Sequence, residues 1–141
     1  MRVLLVALLL AVTMTLTGCG ASDADQVQAT LSQFAKAVAT RNAKPICDRV
    51  LAPELVARLE GVGLSCEYAM NHFFFSCKLR HPTITIGRVA VNGSTAKALV
   101  YAGAKGQSGG IFEIGLVKSS QGWRVARESA ERGRGGGSAC R

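Results

Sequence analysis

The sequence contains few of the motifs that mark enzyme active sites. It has no P-loop and no HExxH motif, so neither a phosphate-binding loop nor a helical zinc site is predicted. It has only 2 histidines, and no two of its 5 cysteines form a CxxC pair. Because zinc sites need such spacings, we expect no metal and no other cofactor.

Acidic and aromatic residues are also scarce. The 141 residues include 9 acidic and 17 basic side chains, a formal net charge of +8, and aromatic residues make up 6%. The basic residues are scattered and are not interleaved with aromatic side chains, which argues against nucleic acid as a partner. Anionic lipid headgroups and wall polymers fit this charge better. The one local excess, Arg132 and Arg134 among glycines, predicts a flexible tail over 130–141.

The only long apolar run stands at the start of the chain. Residues 3–16 are apolar apart from two threonines. A membrane-spanning helix needs about 20 apolar residues, so this run is too short for one. It has the size of a signal-peptide core. The residues that close it, Leu16-Thr17-Gly18-Cys19, resemble the lipobox of bacterial lipoproteins.

The lipobox resemblance implies a location and an anchor. Residues 1–18 would be removed as a signal peptide, Cys19 would carry diacylglycerol, and 19–25 would form a polar tether. Two acyl chains hold a protein stably on a membrane, whereas one does not. We therefore expect an exported protein on the outer face of the cell membrane. Two alternatives stay open: an ordinary secretory signal beside an unrelated cysteine, and an uncleaved signal anchor.

The other four cysteines predict disulfides. An even number in a small exported domain predicts two bonds, and four cysteines allow three pairings. A Cys66–Cys77 bond is disfavoured, because the helix predicted between these residues would hold their Cα atoms about 16 Å apart. We favour Cys47–Cys66, which would join two helical segments, with Cys77–Cys140 as the second bond. Alternatively, Cys77 and Cys140 are free or pair between molecules.

A long N-terminal helix is predicted from about Gln26 to Arg41-Asn42. Its apolar residues recur at spacings of four, three and four, which places them on one face. Asp23 or Asp25 can cap its start, and Asn42 can end it. The apolar positions are Val27, Leu31, Phe34 and Val38.

Three shorter helices are predicted after it. The first opens at Lys44-Pro45, the second opens at Ala52-Pro53 and ends at Gly61, and the third is capped by Ser65. The third carries Phe73-Phe74-Phe75, which either fill the seam between helix and sheet or form an exposed aromatic edge. The residues of the second that are expected to face inward are Leu55, Val56 and Leu59.

After Pro82 the pattern changes to four antiparallel strands. The first covers 83–91, where Ile84 and Ile86 share one face and later valines share the other, so a β-bulge is expected at Gly87. Asn92-Gly93 predicts a hairpin. The later strands are predicted at 95–102, 111–118 and 123–128, with a loop over 105–110 and a turn over 119–122.

Helices followed by a β-meander predict an α+β domain over 26–129, with helices packed on a curved antiparallel sheet. The segments "SQFAKAVATRNAKPICDRVLAPEL", "LSCEYA", "TITIGRVAVNGSTAKALV" and "LVKSSQGWRVA" resemble small actinobacterial exported lipoproteins with a nuclear-transport-factor-2-like, cone-shaped domain. Such lipoproteins often carry cysteines at the positions of Cys47 and Cys66. The resemblance also implies a cavity between helices and sheet.

The residues expected to line that cavity are aromatic. Enzymes of the same fold, such as ketosteroid isomerases and polyketide cyclases, need a carboxylate base and hydrogen-bond donors beside it. Here the candidates are Asp48 or Glu113 with Tyr68, Tyr101 or His72, but no spacing enforces their convergence, and the parity of Glu113 predicts that it faces solvent. The predicted lining residues are Phe34, Tyr68, Phe73, Phe74, Tyr101, Phe112 and Trp123.

The sequence thus favours a lipid-anchored, non-enzymatic envelope protein that binds a small apolar ligand or an envelope partner through its cavity. An isomerase or cyclase that uses the same cavity is the first alternative. A purely structural accessory lipoprotein with a filled core is the second.

Overall fold

The computed structural model describes residues 20–76, 78 and 80–130. Four helices and a short π-helix precede a four-stranded antiparallel sheet of order β1-β2-β3-β4. No helix in these ranges is long and apolar enough to span a membrane. The elements are α1 (Asp23–Ala39), α2 (Ala43–Pro45), the π-helix (Ile46–Val50), α3 (Pro53–Gly61), α4 (Cys66–Ser76), β1 (Thr83–Asn92), β2 (Thr95–Ala104), β3 (Gln107–Ser119) and β4 (Gly122–Ala130).

Helix α1 begins at Asp23, three residues before the predicted start at Gln26. The N-cap is Ser22 rather than an aspartate: its Oγ accepts from the backbone N–H of Asp25 at 3.2 Å, and the Asp25 carboxylate accepts from the N–H of Ser22 at 3.1 Å. This reciprocal capping box satisfies two N–H groups that the first turn leaves free. Asp23 and Asp25 therefore belong to the helix and not to a tether.

The C-terminal end of α1 also lies earlier than predicted. The helix ends at Ala39, because Arg41 adopts the left-handed conformation with φ 51°. The N–H of Arg41 donates to Val38 O, and the N–H of Asn42 donates to Ala37 O at 2.8 Å. These two bonds form a Schellman motif, which uses Arg41 where glycine is usual.

The three shorter helices begin where the sequence predicts. Ser65 caps α4, since its Oγ accepts from the N–H of Tyr68. The apolar residues of α3 face inward as predicted, although no side chain of this helix is fully buried. Helix α3 packs against α4 and β4, and its lack of a fully buried side chain places it at the rim of the domain. Its three half-buried apolar residues are Leu55, Val56 and Leu59.

The predicted bulge in β1 is confirmed. The register of β1 against β2 shifts between Ile86 and Val89, so the side chains on both sides of Gly87 reach the helix-facing side of the sheet. The next hairpin forms one residue later than its signal suggests. Asn92 pairs with Thr95, and the turn consists of Gly93, at φ 59°, and Ser94.

The prediction of a loop over 105–110 is wrong. Residues 107–110 belong to β3, and the turn is only Lys105 and Gly106, which has φ 79°. The Tyr101 ring crosses from β2 over Gly109, where any Cβ would overlap the ring. Glycine at this strand position makes room for an aromatic side chain, which explains why a glycine-rich segment forms a strand.

The helix-facing side of the sheet is packed. One cluster joins α1 to the sheet, and the small residues Ala96 and Ala98 lie at its centre on β2. A second cluster surrounds Phe74 of α4 at the C-terminal end of α1. The large side chains in the first cluster are Leu31, Ile114, Leu116, Trp123 and Val125.

Candidate functional site

The seven side chains predicted to line a cavity do not meet in one place. Phe74 and Trp123 are buried in two separate core clusters, and the two half-buried phenylalanines pack against the core. The interior therefore uses these rings as packing. The four interior residues are Phe34, Phe74, Phe112 and Trp123. The three that lie on the surface are Tyr68, Phe73 and Tyr101.

The acidic catalytic candidates are also separated. Asp48 is exposed and forms a salt bridge with Lys44 at 2.8 Å. This contact, with Glu67 nearby, raises the pKa of Lys44. Glu113 lies on the face of the sheet opposite the helices, as its parity predicts, and pairs with Lys97 at 3.0 Å. Each carboxylate thus has a surface lysine as its partner, and neither points into the core.

The donor candidates do not join these carboxylates. Tyr101 lies on the outer face of the sheet beside Ile111, and both are about half exposed. His72 stacks on Tyr68 with ring centroids 6.1 Å apart and hydrogen-bonds the Ser76 hydroxyl on the exposed side of α4. The geometry of the described residues therefore lends no support to an isomerase-type site.

Residues 106–110 read GQSGG, which matches the GxSxG pattern of hydrolase nucleophiles. That pattern has meaning only on a sharp turn from a strand into a helix. Here Ser108 lies inside β3, in a hairpin with β2. The match therefore carries no hydrolase chemistry.

The start of α1 is fixed to the sheet by one carboxylate. Asp23 Oδ1 accepts from Lys118 Nζ at 2.6 Å and from Trp123 Nε1 at 3.2 Å. The ammonium of Lys118 also lies 5.9 Å from the centroid of the Trp123 ring. Both hydrogen bonds lower the pKa of Asp23, and the one from Lys118 has the larger effect. The first turn of α1 is thereby held against the β3–β4 hairpin.

Asp23→Asn should remove a pH-dependent part of the stability. Because the folded-state pKa of Asp23 is lowered, its carboxylate stabilises the fold above its unfolded pKa of about 3.9, and this contribution is lost as the pH falls through the folded pKa. Urea unfolding can be followed by the fluorescence of the sole tryptophan. The native protein should have a larger free energy of unfolding than Asp23→Asn near neutral pH, and the two free energies should converge below about pH 4. The free energy of unfolding of Lys118→Met should converge with that of the native protein over the same pH range. A gap that stays constant on acidification would contradict the assigned contact.

The predicted Cys47–Cys66 disulfide is confirmed. It joins the π-helix to the first residue of α4, with Cα atoms 5.9 Å apart. Lys44 lies beside it and approaches both Asp48 and Glu67, at 2.8 and 3.9 Å. The predictions for Cys19, Cys77 and Cys140 fall outside the described residues.

The outward side of α4 is apolar and exposed. Phe74 points inward, so neither reading of the triple phenylalanine holds for the whole run: Phe74 fills the seam, and Phe75 is 74% exposed. Tyr68, His72 and Phe75 follow at spacings of four and three, which places them on one helix face. We call this surface the α4 apolar face. It consists of Tyr68, His72 and Phe75.

A groove of about 320 Å³ separates α3 from the edge of the sheet. Arg124 of β4 lies at its base and is only 8% exposed. Its Nη1 donates to Asp48 O at 3.0 Å and its Nη2 donates to Gln121 Oε1 at 3.2 Å. We call this the Arg124 groove. Nothing in the local sequence pattern distinguishes Arg124 from the other basic residues on strands, so its role was not predictable.

A second groove, of about 350 Å³, lies at the C-terminal end of α1 and is basic. It is lined by Arg41, Arg80 and His81 together with Ala39 and Pro82. Arg41 and His81 both have positive φ, at 51° and 46°. In residues 20–76, 78 and 80–130, no three histidine, cysteine or acidic side chains gather as a metal site would require.

No protein-family profile matches the chain, and no curated protein sequence is significantly similar to it. Solved structures do match. A nuclear-transport-factor-2-like protein of unknown function from Shewanella baltica is 12% identical, with 74% of this chain and 88% of the other covered and a TM-score of 0.55. The Kfla4162 protein from Kribbella flavida is 15% identical, with 77% of this chain and 88% of the other covered and a TM-score of 0.57.

A third similar structure, from Streptomyces avermitilis, is named as a candidate dehydratase of the same class. It is 12% identical, with 79% of this chain and 97% of the other covered and a TM-score of 0.52. At such identities the likeness concerns the fold alone: the described residues form a nuclear-transport-factor-2-like domain. Since one fold hosts many functions, the function must be argued from this chain's own surfaces.

Proposed function

We propose that the chain is an exported lipoprotein, held on the outer face of the cell membrane by an acylated Cys19, and that its domain is a non-enzymatic binding module. Its partner is another envelope protein, bound through the α4 apolar face. The observation that carries the proposal is the exposure of Tyr68 and Phe75, 59% and 74%, on one side of α4. Exposed aromatic side chains that share one face of a helix are typical of interaction surfaces.

A small apolar ligand inside the cone is the other form that a binding function could take. Such a ligand needs space between α1 and the sheet, where Leu31, Leu116 and Trp123 are each at most 2% exposed and belong to one cluster. Protein interiors are close-packed, so making space for a ligand there would break the van der Waals contacts between these side chains. The filled interior therefore favours a surface over an internal cavity.

The lipobox-like residues support the anchor, and α1 supports an orientation. Only Gly20, Ala21 and Ser22 separate Cys19 from the first helical residue, Asp23. This link spans at most about 14 Å when fully extended. Because Asp23 is bonded to Lys118 and Trp123, an anchor at Cys19 would hold that end of the domain next to the membrane.

The α4 apolar face belongs to the other end of α1. Phe74, on the same helix, packs against Ala37 and Val38. A helix rises about 1.5 Å per residue, so Ala37 lies roughly 21 Å along α1 from Asp23. A face at that distance from the anchor is better placed for a protein than for lipid.

Site-specific photo-cross-linking in cells that make the full chain tests this proposal. A photoreactive amino acid at position 75 should give one discrete adduct with another protein. The same amino acid at position 111, an equally apolar site that is 52% exposed on the outer face of the sheet, should give none. Phe75→Ser should abolish co-purification of that partner, while Ile111→Ser should retain it. Cys19→Ala should release the chain from the membrane, because a chain without its lipid has no stable anchor.

The other outcomes contradict the proposal in distinguishable ways. Adducts with lipid at position 75 would make α4 a membrane contact, and adducts of twice the chain mass would indicate self-association. Equal adducts at both positions would show that Phe75 has no special role. No adduct at either position would favour a structural accessory protein with a filled core.

A further inference from the structure

We propose that the Arg124 groove binds a small monocarboxylate with an apolar chain, and that the Arg124 guanidinium holds the carboxylate. This site is separate from the α4 apolar face and does not depend on the function proposed for it. Arg124 is the single buried charged residue among those whose burial the structure describes, at 8% exposure. None of the described carboxylates lies within salt-bridge distance of it.

The two partners of Arg124 orient its charge without neutralising it. Asp48 contributes a backbone carbonyl, and Gln121 contributes a side-chain amide oxygen. These neutral acceptors occupy two of the five N–H donors of the guanidinium. Burying a cation without an anion is costly, and a carboxylate is the anion whose geometry matches the guanidinium fork.

The wall of the groove specifies the rest of the ligand. Its apolar lining comes from Leu51 at the end of the π-helix and from three residues of α3: Pro53, Val56 and Ala57. The groove has a volume of about 320 Å³ and is open to solvent, so a short ligand would lie along its wall with part of its surface exposed. The arrangement of one buried cation against an apolar wall fits a ligand with one charged end and a short hydrocarbon chain.

Two acidic residues that line the groove restrict the charge of that ligand. They are Asp48, whose carboxylate is paired with Lys44, and Glu60, for which no ion pair is found among the described residues. A second negative charge on the ligand would approach Glu60 and be repelled. The groove should therefore prefer a monocarboxylate to a dicarboxylate or to phosphate.

Titration of the full chain with hexanoate, followed by NMR, tests the site. Hexanoate should shift the Arg124 Nε–Hε signal and the amide signals of Val56 and Ala57 in a saturable manner. Hexanamide, a neutral analogue of the same shape, should bind about tenfold more weakly, because it lacks the charge-assisted bond. Adipate and inorganic phosphate should also bind more weakly than hexanoate.

Variants locate the binding. Arg124→Met should abolish it, but this change also removes a donor to Asp48 O and can weaken the fold. Ala57→Leu fills the groove, leaves Arg124 in place and keeps a good helix former, so it should reduce hexanoate affinity about tenfold with unchanged unfolding. Ala24→Leu, on the exposed side of α1, is the matched control and should bind like the native protein.

Several results would overturn the inference. Equal affinity for hexanoate and hexanamide would show that Arg124 does not recognise charge. Tighter binding of phosphate or adipate would show that the groove does not select a single charge. If Ala57→Leu and Ala24→Leu lost hexanoate affinity equally, the groove would not be the carboxylate site. The absence of any saturable NMR shift with hexanoate would contradict the proposal in the same way.

Discussion

Phe74→Ala should destabilise the protein by about 3–5 kcal/mol, the usual cost of removing a buried phenyl ring and leaving a cavity. Phe74 is 2% exposed and is the largest side chain of the cluster that joins α4 to the C-terminal end of α1. Its neighbours there include Ala37, Val38 and Ile46, which cannot expand to fill the space. Urea unfolding, with the m-value checked for two-state behaviour, gives the free energy of unfolding directly.

Phe75→Ala is the matched control, since it removes the same group one residue away. Phe75 is 74% exposed, so the free energy of unfolding should change by less than about 0.5 kcal/mol. Phe74→Leu should fall between the native protein and Phe74→Ala, and it keeps the test usable if the alanine variant unfolds. Equal costs at positions 74 and 75 would mean that α4 is rotated about its axis relative to the structure.

Replacing both Cys47 and Cys66 by alanine should lower the free energy of unfolding by about 3 kcal/mol. The bond closes a loop between cysteines 19 residues apart, and its loss increases the entropy of the unfolded chain. Helix α4 has only two fully buried residues, Cys66 and Phe74, so it has few other attachments. The melting temperature should fall by roughly 10–20 °C.

The effect should be local before it is global. Hydrogen exchange should accelerate first in α4, while the amides of β2 and β3 stay protected, since elements with little buried surface open at lower free energy. Cys77→Ala with Cys140→Ala tests separately whether these two cysteines form the second predicted bond, in which case this double change should also lower the free energy of unfolding. A loss of stability confined to that pair, with none for Cys47 and Cys66, would contradict the assigned role of the observed disulfide.

Local patterns predicted the elements well where short-range chemistry decides them. The apolar spacing from Val27 to Val38 reports one face of α1, and the change of parity at Gly87 reports the bulge, because both depend on side-chain period alone. Helix ends were predicted less well. Ser22 replaced the aspartates as N-cap, and Arg41 took the left-handed position expected for glycine or asparagine, since several neighbouring residues could each have served.

Contacts between distant segments were not predictable. In the strand at 107–110, the ring of Tyr101 on the neighbouring strand lies over Gly109, and the glycine-rich pattern does not reveal this contact. For the predicted cavity residues on α4, which are Tyr68, Phe73 and Phe74, the division into core and surface depends on the rotation of the helix about its axis. The weak amphipathicity of a helix with three successive phenylalanines does not specify that rotation.

The sequence by itself determined the class of fold, the order of helices and strands and the bulge at Gly87. These follow from periodicity and turn residues, which act within a few residues. The cysteine count predicted two disulfides and favoured Cys47–Cys66 among the possible pairings, and the tertiary structure decided that these two residues are bonded. Only the tertiary structure decided that the interior is filled, that Phe75 faces outward, and that a groove surrounds Arg124. Arg124 meets the carbonyl of Asp48, 76 residues earlier in the chain, because the π-helix runs beside the edge of β4. Such a meeting depends on how whole elements pack, and no local pattern encodes it.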